Sequence, residues 1–149
     1  TVKVDPDAVF FPGRLRGALA EKGSGVEWTG SCKDGLHGAV YVLGRGAVAL
    51  LAEDYARSWD GKAPRDCVAG LKLSKYSETL FMDRCLTHVL GVQRRKLEPR
   101  LACQGSCGCG AWMWCGDAQS ISFHSFKTVE SYRQCTANAL EAQAAAASA

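Results

Sequence analysis

Four of the eight cysteines fall within thirteen residues, CQGSCGCGAWMWC, from Cys103 to Cys115. Thiols at this density hold zinc, run redox exchange or close disulfides, and spacing separates the three chemistries. Structural zinc takes four ligands, usually from two C-x2-4-C knuckles or from one knuckle and a histidine pair. The spacing here is C-x3-C-x-C-x5-C, and Cys107 and Cys109 stand too close for the usual knuckle. Cys32, Cys67, Cys85 and Cys135 are isolated and supply no second one. No C-x-x-C is present, so the thioredoxin-type motif is absent. A disulfide knot is the reading that remains. Eight is an even number, as complete pairing requires, and the density suits an oxidising compartment. Connectivity stays open, because eight cysteines can pair in more than a hundred ways. In a strand, Cys107 and Cys109 would share a face and could reach two different elements. Cys85 and Cys135, on the inward stripes of two helices, are candidate partners for clustered cysteines. Trp112 and Trp114 alternate with Met113 and are expected to pack beside the bridges; an exposed aromatic platform is the alternative.

The other constellations are weaker. General acid–base hydrolysis needs two titratable groups facing one pocket. Of His37, His88 and His124, the last two are the pair on which a small hydrolase or nuclease would be built. A half-buried structural histidine is the commoner role for each. No G-x-S-x-G or H-E-x-x-H occurs. Gly44-x-Gly46-x-x-Ala49 partly matches a dinucleotide fingerprint, but repeated βαβ units and the acidic partner are missing. Its glycines are better explained as a strand-to-helix turn. Catalytic residues, metal and cofactor are therefore all expected to be none. The basic run Arg94, Arg95, Lys96 and Arg100 is either a solvated loop, a partner-binding surface or a dibasic processing site. Cleavage after Arg95 would divide the cysteines three and five, so a bridge would have to join the pieces.

Positioning these residues requires a core, and 149 residues suffice for one, burying roughly 70% of the unfolded chain's surface. Apolar residues at 47% and charged residues at 22% are ordinary for a globular protein. A net charge of +3 is too mild to argue for nucleic acid. No apolar run of about 18 residues exists, so no membrane span is expected. Thr1 stands in place of an initiator methionine, read as a mature chain whose secretion signal has been removed. Asn138 is followed by Ala-Leu, which excludes N-glycosylation there.

One domain, 1–149, is the expected organisation. Residues 1–25, punctuated by Pro and Gly, read as a loosely ordered opening segment, with a short helix from Arg14 ending at Gly23. Val26–Cys32 and Gly38–Gly44 read as strands. Gly46–Trp59 has helical period, with Val48, Leu51, Ala52, Tyr55 and Trp59 inward and a Glu53–Arg57 pair outward. Asp66–Ser74 reads as a strand. Ser77 caps a helix from 78 to 90, with Leu80, Phe81, Cys85, His88 and Val89 on one stripe and Gly91 as its stop. Leu101–Cys103, Ala111–Cys115 and Ser120–Phe126 read as a β-meander. Thr128 caps a last helix whose inward stripe is Val129, Tyr132, Cys135, Thr136 and Ala139. The Ala-rich tail, 141–149, either prolongs that helix or is appended to it. The fold class is α+β: a four- to five-stranded, mainly antiparallel sheet with about three helices packed on it, stabilised by disulfides.

A small cysteine-rich α+β chain with four potential bridges and no enzyme motif resembles the secreted effector and avirulence proteins of fungi. The LARS-type avirulence fold is the nearest group and the killer-toxin-like sandwiches the second. The resemblance lies in element order and cysteine content over about residues 26–140. It implies a monomer acting without catalysis, by surface recognition of host proteins, an immune receptor among them. It also implies a secreted, extracellular location, in the host apoplast or delivered to host cytoplasm. A killer-toxin-like antimicrobial activity and the His88/His124 hydrolase are the alternatives.

Overall fold

The computed structural model describes residues 1–19, 25–32, 35–36, 38–94, 97–107, 109–110 and 112–148. The elements run β1 (Val2–Val4), β2 (Ala8–Phe10), α1 (Pro12–Leu19), β3 (Glu27–Thr29), β4 (Val40–Leu43), α2 (Arg45–Ala56), α3 (Arg65–Gly70) and α4 (Glu78–Arg84). β5 (Gln93–Arg94), β6 (Ser122–His124) and α5 (Val129–Ala147) complete the order. The class is α+β, and the strands divide into two sheets rather than one. The larger has the order β1-β4-β3-β5; β1 and β3 flank β4 antiparallel, and β5 joins β3 in parallel. The smaller is the antiparallel pair of β2 and β6, with Ala8 opposite His124.

β4 explains why the sheet lies where it does. Val40, Tyr41, Val42 and Leu43 are all buried. Alternate side chains of a strand point to opposite faces. Tyr41 and Leu43 pack with Trp28, Ala47, Leu86 and Val92, whereas Val40 and Val42 pack with Ala8, Leu15, Leu101 and Ile121. A strand with core on both faces must be apolar at every position, as VYVL is. β2 alternates likewise: Ala8 joins the second of these cores, and Val9 joins a third with Phe123, Phe126, Cys135 and Ala139.

Several elements differ from expectation. Of the opening segment, residues 1–19 carry regular elements, β1, β2 and α1. Three-residue strands are too short to show alternation, and these are held by pairing with β4 and β6. The expected helix end at Gly23 lies outside the described residues. Asp66–Ser74 is helical, as α3 and then a 3-10 turn at Leu73–Lys75. Its N-terminus is capped from a distance: the Asp54 carboxylate accepts the backbone N–H of Asp66 at 2.8 Å and of Cys67 at 3.2 Å. The buried residues of α2 are Ala47 and Asp54, the helix stops at Ala56, and Trp59 lies in the following loop, 95% exposed. Tyr55 is half-buried. Arg57 bonds Asp54 and Asp66.

The meander is reduced to β6, with a single bridge from Cys103 to Phe123. Leu101 sits in a 3-10 turn, and residues 112–115 form turns. Cys103 and Cys109 are bonded with their Cα atoms 5.2 Å apart. Six residues of extended chain would separate them by about 20 Å, so residues 103–109 fold back on themselves as a closed loop. The helix ends read from the sequence hold better. Ser77 Oγ accepts the Leu80 N–H, α4 widens into a π-turn at Cys85–Val89, and Gly91 follows with φ +66°. Thr128 and Ser131 form a capping box on α5, which prolongs into the Ala-rich tail as far as Ala147. No helix among the described residues is long and apolar enough to cross a membrane.

Candidate recognition surface

All eight cysteines are bonded, as Cys32–Cys107, Cys67–Cys85, Cys103–Cys109 and Cys115–Cys135, with Cα separations of 5.0–5.2 Å. Two bridges join a clustered cysteine to an isolated one, as expected. The other two do not: Cys67 and Cys85 staple α3 to the helix after Ser77, and Cys103 closes on Cys109 within the cluster. Cys107 lies in a 3-10 turn rather than a strand. Cys32–Cys107 is the bridge that would hold the pieces together if the chain were cut after Arg95.

Two bridges thus leave the stretch 103–115 and a third closes within it, and together they fix what its tryptophans can do. Trp112 turns inward onto the third core, its ring centroid 6.2 Å from that of Phe126. Cys115 is buried, bonded to Cys135 of α5, and takes a left-handed backbone with φ +51°. Non-glycine residues adopt that conformation rarely and only when their surroundings impose it. Between these anchors Met113 and Trp114 face outward, 59% and 72% exposed. The Trp114 carbonyl accepts a hydrogen bond from Asn138 Nδ2 at 3.0 Å, and Gln134 Nε2 in turn donates to Asn138 Oδ1 at 2.8 Å. The expectation that both tryptophans pack beside the bridges holds for Trp112 and fails for Trp114. The turn is thus anchored at both ends and presents two large apolar side chains to water.

No family model, no curated protein and no solved structure matches this chain. The cysteine-rich α+β character and the four bridges stand on the structure, and they fit an oxidising compartment.

The remaining candidates are dispersed. His37, Arg95 and Lys96 lie outside the described residues. Arg94 belongs to β5. Arg100 is half-exposed, but its guanidinium is taken by the buried Glu98 carboxylate, with Nε 2.8 Å from Oε1 and Nη2 3.1 Å from Oε2. His88 is exposed and meets Arg84 at 2.9 Å. His124 is half-buried among Asp5, Asp7 and Gln104. The two histidines share none of these partners. Gly44 and Gly46 make a close approach: a Cβ on Gly44 would strike the Gly25 carbonyl oxygen, and one on Gly46 would come within 2.5 Å of Val26 Cγ2. That is the strand-to-helix turn and gives no reason to invoke a dinucleotide.

Two exposed features escaped the sequence reading. The Trp59 loop borders a cavity of about 440 Å³ with Arg57, Pro64, Arg65 and Val68. On α5 the expected inward stripe is split: Cys135 and Ala139 are buried, whereas Val129 and Tyr132 line an open groove of about 670 Å³ with Pro6 and Phe126. In the first, Gly61 and Pro64, just beyond the supposed helical period, were the available signal of a loop.

Proposed function

We propose that this chain is a secreted, non-enzymatic protein that works by presenting a rigid surface to host proteins, in the manner of the fungal effectors it resembles. The observation that carries the proposal is the outward pair Met113 and Trp114, held at one end by the packing of Trp112 and at the other by Cys115–Cys135. Trp is among the side chains most enriched at binding hot spots, and Met is enriched at interfaces. Exposing them costs solubility unless a partner covers them. Fixing the turn beforehand removes the ordering cost that a flexible loop would meet on binding. Four bridges suit a protein that must keep such a surface among extracellular proteases. The basic connector, Arg94, Arg95 and Lys96, is proposed as a second contact segment.

The test compares wild type, Trp114→Ala and Trp59→Ala as oxidised baits against host extracellular extract and recombinant receptor ectodomains. Capture is read by quantitative mass spectrometry, with circular dichroism as the folding control. A hot-spot tryptophan contributes at least about 2 kcal/mol, so Trp114→Ala should weaken the specific partner roughly 30-fold. Unchanged capture by Trp114→Ala would refute the reading. Hydrolysis of RNA or peptide by the pure protein, abolished by changing His88 or His124, would move the chain to the enzyme alternative.

A further inference from the structure

We propose that Asp5, Asp7 and His124 bind one divalent transition-metal ion of the zinc class, at the seam where the turn between β1 and β2 meets β6. The three residues can each offer one ligand atom, all within 4.8 Å of one another. His124 Nε2 lies 3.4 Å from Asp7 Oδ1 and 4.0 Å from Asp5 Oδ2. An ion with bonds of about 2.1 Å to nitrogen and oxygen, in tetrahedral geometry, spaces its ligand atoms about 3.4 Å apart. Of the three edges among these atoms, that of His124 with Asp7 is already present, that of His124 with Asp5 needs a small closure, and that between the carboxylates lies within 4.8 Å.

The second oxygen of each carboxylate is committed elsewhere. Asp5 Oδ1 takes the Lys3 ammonium and Asp7 Oδ2 takes that of Lys127. The oxygens left over are the two that face the imidazole. Independently, Gln104 fixes which imidazole nitrogen is available. Its amide is only 5% exposed, and its Nε2 lies 2.8 Å from the Cys107 sulfur and 3.6 Å from that of Cys32. That leaves Oε1 to accept from His124 Nδ1 at 3.1 Å. With Nδ1 turned to Gln104, Nε2 is the ring nitrogen that faces the two carboxylate oxygens. Nε2 and the two carboxylate oxygens converge on one point, where a metal ion would take the place of a proton on Nε2. Orientation of a metal-binding histidine through its other nitrogen is the usual supporting arrangement in such sites.

The backbone holds the ligands in place. Asp5 N–H donates to the Ala39 carbonyl at 2.9 Å, and the Phe126 N–H donates to the Asp7 carbonyl at 2.8 Å. Pairing of β2 with β6 sets Ala8 opposite His124. One imidazole and two carboxylates suit Zn²⁺, Mn²⁺ or Co²⁺ better than Ca²⁺, which prefers all-oxygen shells. Three protein ligands leave a coordination position for water. The ammonium of Lys127, on a side chain 76% exposed, competes with the ion for Asp7 and can swing into solvent.

The experiment titrates Zn²⁺ alone into the intact, oxidised, tag-free protein by calorimetry, with Co²⁺ absorption reporting geometry. One ion per chain is expected. Asp7→Asn and His124→Gln should each weaken binding at least tenfold, with circular dichroism unchanged. Lys127→Gln should tighten it several-fold, which a merely adventitious surface ion would not show. Absence of saturable Zn²⁺ binding in wild type overturns the proposal. So does binding that persists unchanged in both Asp7→Asn and His124→Gln.

Discussion

Replacing Asp54 with alanine removes a carboxylate that solvent does not reach. Its two oxygens accept the N–H groups of Asp66 and Cys67, and Oδ1 also accepts from Arg57 at 3.1 Å. Helix α3 has Pro64 at its N-cap and no capping side chain of its own, so Asp54 performs that service across the chain. Losing an N-cap costs about 0.5–2 kcal/mol. The Cys67 N–H is buried and would be left without an acceptor, at about 1–3 kcal/mol. The Asp66 N–H is only partly buried, and water can replace much of its loss. Relief of the carboxylate's own desolvation offsets a part. The net expectation for Asp54→Ala is about 3 kcal/mol, a large share of the roughly 5–15 kcal/mol that holds a domain folded. Urea unfolding with all bridges intact measures it, and the slope with denaturant should not change. For a chain of this size the melting temperature should fall by about 10 °C. Asp54→Asn keeps one acceptor oxygen and should cost about half as much. A loss below about 1 kcal/mol for Asp54→Ala would refute remote capping as the reason α3 exists.

Intact-mass measurement should find the native protein about 8 Da lighter than its fully reduced form, with no alkylatable thiol; thiols that alkylate without reduction would contradict the four bridges. Trp59→Ala should change stability by less than about 0.5 kcal/mol, because the side chain meets solvent. Phe123→Ala, in the fully buried third core, should cost about 3–5 kcal/mol in the same denaturation assay. Burial pushes the Asp7 carboxyl up, but the Lys127 hydrogen bond and the neighbouring charges of His124 and Lys127 outweigh it and hold the group below its ordinary 3.8. The stability this contributes is present above the unfolded value, about 3.9, and is lost as pH falls through the lower folded one. A carboxyl NMR titration of Asp7 should show that low midpoint in wild type and a rise in Lys127→Gln; a midpoint at or above 3.8 in wild type would contradict the arrangement.

Elements were legible in the sequence where their cause is local. VYVL announces a strand because both its faces are buried, and Ser77, Gly91 and Thr128 mark helix ends through bonds within a few residues. Elements whose cause is remote were not. The N-terminus of α3 depends on Asp54, twelve residues before Asp66, and nothing in DCVAGLKLS carries that information. The helical period counted to Trp59 ran past the real end at Ala56, because the apolar spacing continues by coincidence into the loop. The cysteines could be counted but not connected. The rigid turn at Met113 and Trp114 follows from that connection, since only the bond to Cys135 turns a strand-like WMWC into a mount. The meeting of Asp5 and Asp7 with His124 depends on pairing between two three-residue strands, which no pattern of that length reveals.

The bridges have a further consequence when they are followed along the chain. Cys32–Cys107 spans every peptide bond from the first cysteine to the cluster, so a nick there leaves the pieces covalently joined. Cys103–Cys109 carries this cover to residue 109, and Cys115–Cys135 resumes it at 115. Between Cys109 and Cys115 no bridge crosses. The turn that lifts Met113 and Trp114 into water is thus the one interval between Cys32 and Cys135 where a single cut divides the protein in two. A protease that favours aromatic residues would find Trp114 there. The C-terminal piece, β6 and α5 together, would then be held to the rest of the molecule by non-covalent contacts alone, the β2–β6 pairing among them, so the surface best built to engage a partner is also the seam along which the protein can be unfastened.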